Sequence, residues 1–273
     1  MTDIVSETVS RDFAKFNPVR FAIFFVAFIV WATIMPLLFC LCRLAPGFKP
    51  EGMIICFHGI MCRIIGLRVQ FKGEVSKHKP TLFLSNHVSY LDIFALGQNL
   101  PGWFVAKSEI GSWPVINKLA RLQNTIFIER KASKARQHIN ILSKHLQAGT
   151  NLILFPEGTS TNGAEVKPFK SSLLAAASAE NIMIQPVTIV YTRYAGEGMN
   201  QATRDNFAWY ADMPFGSHFV RVLGLKRLDA IVQFHQPVQL SDFSDRKACA
   251  EHCTDVVSKS LENELRNSGS TDQ

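Results

Sequence analysis

At 273 residues the chain is long enough to bury a substantial core, and with 47% hydrophobic residues it is not a disordered chain. Its 29 Lys and Arg against 22 Asp and Glu leave a net charge of +7, which favours an anionic partner: nucleic acid, an anionic membrane or a phosphorylated substrate. The six cysteines form no C-x-x-C pair, which argues against zinc-ribbon and thioredoxin-like chemistry and fits a reducing compartment.

In chain order, the first feature is FAIFFVAFIVWATIMPLLFCLC, residues 21–42, which carries no charge. It exceeds the ~18 residues that suggest a membrane-spanning helix. Arg20 and Arg43 bracket it, and Pro36 inside it predicts a kinked or re-entrant helix. A second apolar stretch, 53–67, has Arg63 as its only formal charge and reads as a helix on the membrane or packed on the first. Residues 1–67 are therefore expected to be a membrane-anchoring segment, 68–265 a single α/β domain, and 266–273 a disordered tail.

From residue 68 short apolar runs alternate with longer periodic ones. Strands are predicted at 81–85, 103–106, 125–128, 151–155, 182–191 and 230–235. Between them 133–148 places Ala135, Ile139, Leu142 and Leu146 on one helical face, stopped by Gly149. Helical patterns also cover 171–180 and 244–266. The alternation predicts an α/β fold, a mixed sheet covered by helices. In such sheets reactive residues gather beyond the carboxyl ends of strands. His87 follows the strand ending at Ser85, and Glu157 follows the one ending at Phe155.

The segment SNHVSYLDIFAL, 85–96, sets His87 and Asp92 five positions apart. On one continuous helix five residues turn through about 500°, so the side chains would diverge. They meet only if His87 lies in a turn and Asp92 in the helix that follows. Ser89-x-x-Asp92 has the shape of a capping box, which predicts that helix start. A carboxylate on Nδ1–H leaves Nε2 free to act as a base near neutrality. The plainer alternative is a capping aspartate beside a loop histidine satisfied by backbone. FPEGT, 155–159, has the proline, acid and glycine of a loop that approaches a ligand closely, or of a plain turn. IFIER, 126–130, ends a strand in a charged pair, with Arg130 a clamp for an anion or half of a surface ion pair. Pro186 within QPV predicts an edge strand or a ligand-facing strand end.

These four blocks, NHVSYLD, NTIFIER, FPEGTS and IQPV, in this order after an apolar N-terminal segment, resemble the 1-acylglycerol-3-phosphate acyltransferase superfamily over residues 70 to 240. The resemblance implies a glycerolipid acyltransferase-like fold and transfer of a fatty acyl group from acyl-ACP or acyl-CoA to a lysolipid hydroxyl. His87 would be the general base and Asp92 its orienting partner. Arg130, Glu157, Gly158, Thr159 and Ser160 would hold the acceptor head group, with Lys107, Lys167 and Lys170 as further charge contacts. No metal or other cofactor is implied, because a thioester is already activated. The implied partners are the lysolipid, acyl carrier protein or coenzyme A thioester, and the membrane, with no nucleic acid. The implied location is a bacterial inner membrane, catalytic domain on the cytoplasmic face.

Two residues depart from the superfamily pattern. Asn124 stands where its second block has glycine, and asparagine tolerates the left-handed backbone. Ser160 replaces the arginine of the third block, the natural bidentate partner of a phosphate. That substitution, the block FPEGTSTNGAEVKPFKSSLL and the segment WYAD at 209–212 look more like bacterial lyso-ornithine lipid acyltransferases, whose acceptor carries no phosphate. The alternative acceptor is 1-acylglycerol-3-phosphate. The chain lacks G-x-S-x-G and any phosphate-cradling glycine loop, which disfavours a serine hydrolase or a nucleotide enzyme. A competing class is a non-catalytic basic membrane-binding module, with Arg130, Lys131, Lys134 and Arg136 as its lipid-facing rim.

Overall fold

The computed structural model describes residues 16–48, 50–112, 114–129, 132–179 and 181–269. The chain begins with two helices, α1 (Pro18–Cys42) and α2 (Pro50–Ile65), and enters the sheet through β1 (Leu67–Lys72) and β2 (Thr81–Ser85). There follow α3 (Leu91–Gly97), β3 (Trp103–Lys107), α4 (Pro114–Leu122), β4 (Ile126–Ile128), α5 (Ala135–Gln147) and β5 (Leu152–Leu154). Next come α6 (Ser171–Leu174), the long β6 (Met183–Tyr194), β7 (Glu197–Gly198), α7 (Gln201–Arg204) and α8 (Phe215–Gly224). The chain closes with β8 (Leu228–Phe234), β9 (Val238–Gln239) and α9 (Arg246–Gly269).

The strands form one nine-stranded sheet in the order β1-β8-β6-β2-β5-β3-β4, with β7 and β9 also on β6. β6, β2, β5, β3 and β4 run parallel, so their carboxyl ends share one edge. β8 is antiparallel to β6, which makes the sheet mixed. Alternation along the strands divides the core in two. Phe83, Ile153, Val187, Ile189 and Val232 face a cluster with α2, α3 and α8. Leu82, Leu84, Leu152, Leu154 and Ile184 face α5 and α9, where Leu142, Leu146, Cys253 and Val257 complete the second cluster.

Asn17 caps α1 by accepting from Arg20 N at 2.9 Å, and Pro18 sits where its missing N–H costs nothing. Pro36 does not end the helix, which continues to Cys42. One flank packs inward: Phe28 meets Phe219 of α8 edge-on at 4.9 Å, Trp31 Nε1 donates to Phe57 O of α2 at 3.4 Å, and Met35 and Phe39 are buried. The opposite flank, Val19, Ile23, Val26, Val30, Leu37 and Leu41, is exposed and apolar apart from Thr33, whose hydroxyl donates to Ile29 O. In α2 the inward stripe is Phe57, His58, Met61, Cys62 and Ile65, at helical spacing against α3.

Two expectations need correction. β6 is a central strand, although Pro186 suggested an edge or a strand end. The proline is tolerated because it lies where the antiparallel neighbour changes from β9, paired at Met183 and Ile184, to β8, paired from Val187 onward. At that break the Gln185 side chain replaces the ladder, donating to Glu74 O and His235 O and accepting from Ser76 N. At the C-terminus α9 continues to Gly269, past the helical pattern expected to 266 and into the tail expected from 266, and residues 270–273 lie outside the described residues.

Candidate active site

β2 and β5 are sheet neighbours, and the turns leaving their carboxyl ends meet. His87 lies in the turn after β2, and Asp92 in the first turn of α3. Their side chains converge: His87 Nδ1 is 2.8 Å from Asp92 Oδ2. Asp92 is fully buried, whereas 16% of the His87 side chain reaches solvent. With a buried carboxylate on Nδ1–H, the Nε2 lone pair is left for chemistry. The imidazole also stacks on Phe155 at 4.0 Å and 18°, which fixes its plane. Asn86 anchors the turn to β6, donating from Nδ2 to Ile189 O at 2.9 Å and accepting from Ile189 N at 2.8 Å.

Only half of the expected capping box forms. Asp92 reaches back to Val88 N at 2.7 Å and Ser89 N at 3.0 Å, but Ser89 does not cap α3, and its buried hydroxyl has no partner among the described residues. One carboxylate therefore holds both the turn and the imidazole.

Glu157 does not project into the acceptor space expected of it. It is buried, and its oxygens accept from His87 N at 2.6 Å and Lys167 N at 2.8 Å. Burial pushes its carboxyl up to about 7, only partly offset by those two donors. Ser160 also turns away, donating from Oγ to Trp209 O at 2.6 Å, while Trp209 N donates to Val88 O at 2.9 Å. The 209 segment is thus joined to both the histidine turn and the FPEGTS loop, and Thr161 N closes the frame on His87 O at 2.9 Å.

Gly158 adopts φ +74°, and a Cβ there would sit 2.3 Å from Lys170 Nζ, so the ammonium lies over the glycine. Thr159 Oγ1 has a 3.3 Å contact to Ser160 O. Lys167 is tied to Glu157 through its backbone, with its side chain exposed. Lys107 ends β3 on the same sheet edge, two strands from β2, and pairs with Glu109 at 3.2 Å. In the IFIER block Glu129 pairs with Lys134, while Arg130 and Lys131 lie outside the described residues. Asn124 takes φ +58°, the left-handed backbone that asparagine tolerates. A cavity of about 360 Å³ lined by Arg68, Gln70, Asp229 and Glu264 lies on the other flank of the sheet and includes none of the His87 cluster.

The expected set therefore divides. His87 and Asp92 come together with Glu157, Gly158 and Lys170, Ser160 serves the scaffold, and Lys107 stands apart. Two residues escape the sequence reading. Tyr191 OH donates to Asp92 Oδ1 at 2.6 Å, and Trp209 supplies main-chain bonds to the site. A tyrosine in the inward register of a buried strand was a legible signal, since its hydroxyl requires a partner. The main-chain bonds that join Trp209 to the distant Val88 and to Ser160, 49 residues away, leave no local pattern.

The family model described as Acyltransferase matches residues 66–190, from β1 to most of β6. The lyso-ornithine lipid O-acyltransferase of Rhodobacter capsulatus is 38% identical over 72% of this chain and 73% of that protein. The 1-acyl-sn-glycerol-3-phosphate acyltransferase of Neisseria meningitidis is 31% identical over 78% and 81%. The crystal structure of the 1-acyl-sn-glycerophosphate (LPA) acyltransferase PlsC from Thermotoga maritima superposes with a TM-score of 0.68 over 90% of this chain and 95% of that one, at 21% identity, and shares the fold. A histidine–aspartate pair at the carboxyl edge of this sheet, in a chain so related, makes the protein a member of the 1-acylglycerol-3-phosphate acyltransferase superfamily, an O-acyltransferase of lysolipids.

Proposed function

We propose that the protein acylates the hydroxyl of a lyso-ornithine lipid, using an acyl-ACP or acyl-CoA thioester, at a membrane surface. The observation that carries the catalytic assignment is the His87–Asp92 contact, with Nδ1 committed to the buried carboxylate and the His87 side chain still partly reached by solvent. His87 Nε2 takes the proton from the acceptor hydroxyl as that oxygen attacks the thioester carbonyl. Asp92 stabilises the imidazolium that forms. When the tetrahedral intermediate collapses, the C–S bond breaks and the imidazolium returns the proton to the departing thiolate. Glu157 contributes by holding the backbone of His87, so that the base keeps its position. General-base catalysis supplies about 10²–10⁴-fold, and alignment of the two substrates supplies the rest.

Support for the acceptor comes from Ser160 and from the relatives. Where a guanidinium would clamp a phosphate, this chain has a hydroxyl already engaged with Trp209 O. Lys170 over Gly158 provides a single ammonium, suited to the carboxylate of an amino-acid head group. Membrane association is supported by the exposed apolar flank of α1, a helix long and apolar enough to cross a bilayer but packed along its other flank on α2 and α8. A cytoplasmic orientation at a bacterial inner membrane follows from the proposed donors.

The test is acyl transfer by purified protein from radiolabelled acyl-ACP and acyl-CoA to a panel of lysolipids, with products resolved by chromatography. Labelled ornithine lipid is expected. Product from 1-acylglycerol-3-phosphate alone would reassign the acceptor, and no product from any lysolipid would overturn the enzymatic reading.

A further inference from the structure

The two oxygens of Asp92 are loaded unequally. Oδ2 accepts from His87 Nδ1, Val88 N and Ser89 N. Oδ1 accepts from Tyr191 OH at 2.6 Å and from no other donor found among the described residues. Both side chains are buried, so water does not replace that donor. Tyr191 shares the inward register of β6 with Val187 and Ile189, where an apolar side chain would pack without needing a partner. Immediately after it the pairing with β8 shifts register, between Tyr191 and Arg193. Such irregularities re-aim side chains beside active sites.

We propose that Tyr191 is a positioning residue of the acyl-transfer reaction: its hydroxyl clamps Oδ1 of Asp92, keeping Oδ2 on His87 Nδ1 and sharing the carboxylate's charge. This inference rests on the acyl-transfer reading above. The clamp has two physical effects. A carboxylate rotates broadly about its last torsion; Val88 N and Ser89 N already restrain Oδ2, and the donor on the far oxygen completes that restraint. The same donor disperses negative charge that would otherwise act on the imidazole. Without it, the imidazolium is favoured and the base is captured by protons at higher pH.

The other titratable or charged groups facing this cluster are Glu157 and the neighbouring Lys167 and Lys170 from the loop after β5, Tyr90 at the head of α3, and Cys62 on α2. Tyr191→Phe leaves all of them in place and keeps the ring.

The experiment compares the pH–rate profile, kcat and KM of wild type and Tyr191→Phe in the same acyl-transfer assay. The expected result is a fall in kcat of about tenfold to a hundredfold, the scale of one hydrogen bond to a charged group. KM for both substrates should stay within about twofold, and the acid limb should move to higher pH. A folded variant with wild-type kcat and an unmoved acid limb overturns the proposal, and so does a change confined to KM or to thermal stability. Should Tyr191→Phe fail to fold, 3-fluorotyrosine placed at 191 supplies a stronger donor. The acid limb is then expected at lower pH, and an unmoved limb overturns the proposal. A wild-type protein with no acyl transfer sinks the underlying reading, whereas an active wild type with an indifferent variant sinks only the role of Tyr191.

Discussion

The chemistry rests on a few atoms at His87. Replacing it with alanine removes the base and should lower kcat by about 10²–10⁴-fold while leaving vesicle binding intact. Asp92→Asn should cost a similar factor, because an amide facing Nδ1 can donate and so favours the tautomer with Nε2 protonated. Since the imidazole must be neutral to accept the proton, turnover should fall in acid; a flat profile down to about pH 5 would remove His87 from the base role. Glu157 makes a separate prediction for stability. Its folded-state carboxyl is raised from 4.5 to about 7 by burial, so the native state binds the proton more tightly than the unfolded chain. Between those values the contribution of Glu157 to stability falls as pH rises, by on the order of 3 kcal/mol, levelling off above about 7, while His58, His218 and His235, each lowered by burial, act in the opposite direction. The difference in melting temperature between Glu157→Gln and wild type, plotted against pH, should therefore move in the variant's favour from about 4.5 to about 7. The histidine and the glutamate were visible as types just beyond strand ends, and the aspartate at the start of the helix that follows the histidine turn. The orientation of the glutamate was not, because a carboxylate that serves the backbone and one that serves a substrate look alike in a sequence.

At the level of elements, the α2–α3 contact supports the turn from behind. Gly97 near the end of α3 faces the His58 ring, and a Cβ there would lie 2.4 Å from His58 Cδ2. Burial holds that histidine neutral, pushing it down to about 3, and packs it among Phe57, Phe94 and Phe104. The ring has no room to retreat, so Gly97→Ala should destabilise the protein by about 1–3 kcal/mol in denaturant unfolding. The parallel strands β2, β3, β4 and β5 were legible because runs buried on both faces read as short apolar blocks. β1, LRVQFK, was missed because its alternating polar residues interrupt such a run. α4 and α8 were missed as well. α8 sits in a stretch punctuated by Pro214, Gly216 and Gly224, and its apolar face is explained by packing against α1, α2 and Tyr90.

For the whole molecule, α1 divides two environments. Its inner flank is part of the protein core, while its outer flank offers a mostly apolar surface interrupted by the Thr33 hydroxyl. Val26→Ser, Val30→Ser and Leu37→Ser together should reduce binding to anionic lipid vesicles at least tenfold, yet leave activity on detergent-dispersed substrate within about twofold. Equal loss in both assays would show that α1 serves only the fold. The membrane segment was legible by length, but its sidedness was not, because the apolar residues run all round the helix and hydropathy cannot tell lipid from Phe219. The joining of Trp209 to Val88 and Ser160 carries a kinetic consequence. With the 209 segment fastened to both the histidine turn and the FPEGTS loop, that segment cannot swing as a flap over the reaction centre without breaking these bonds. Turnover should then include no step in which this segment opens or closes.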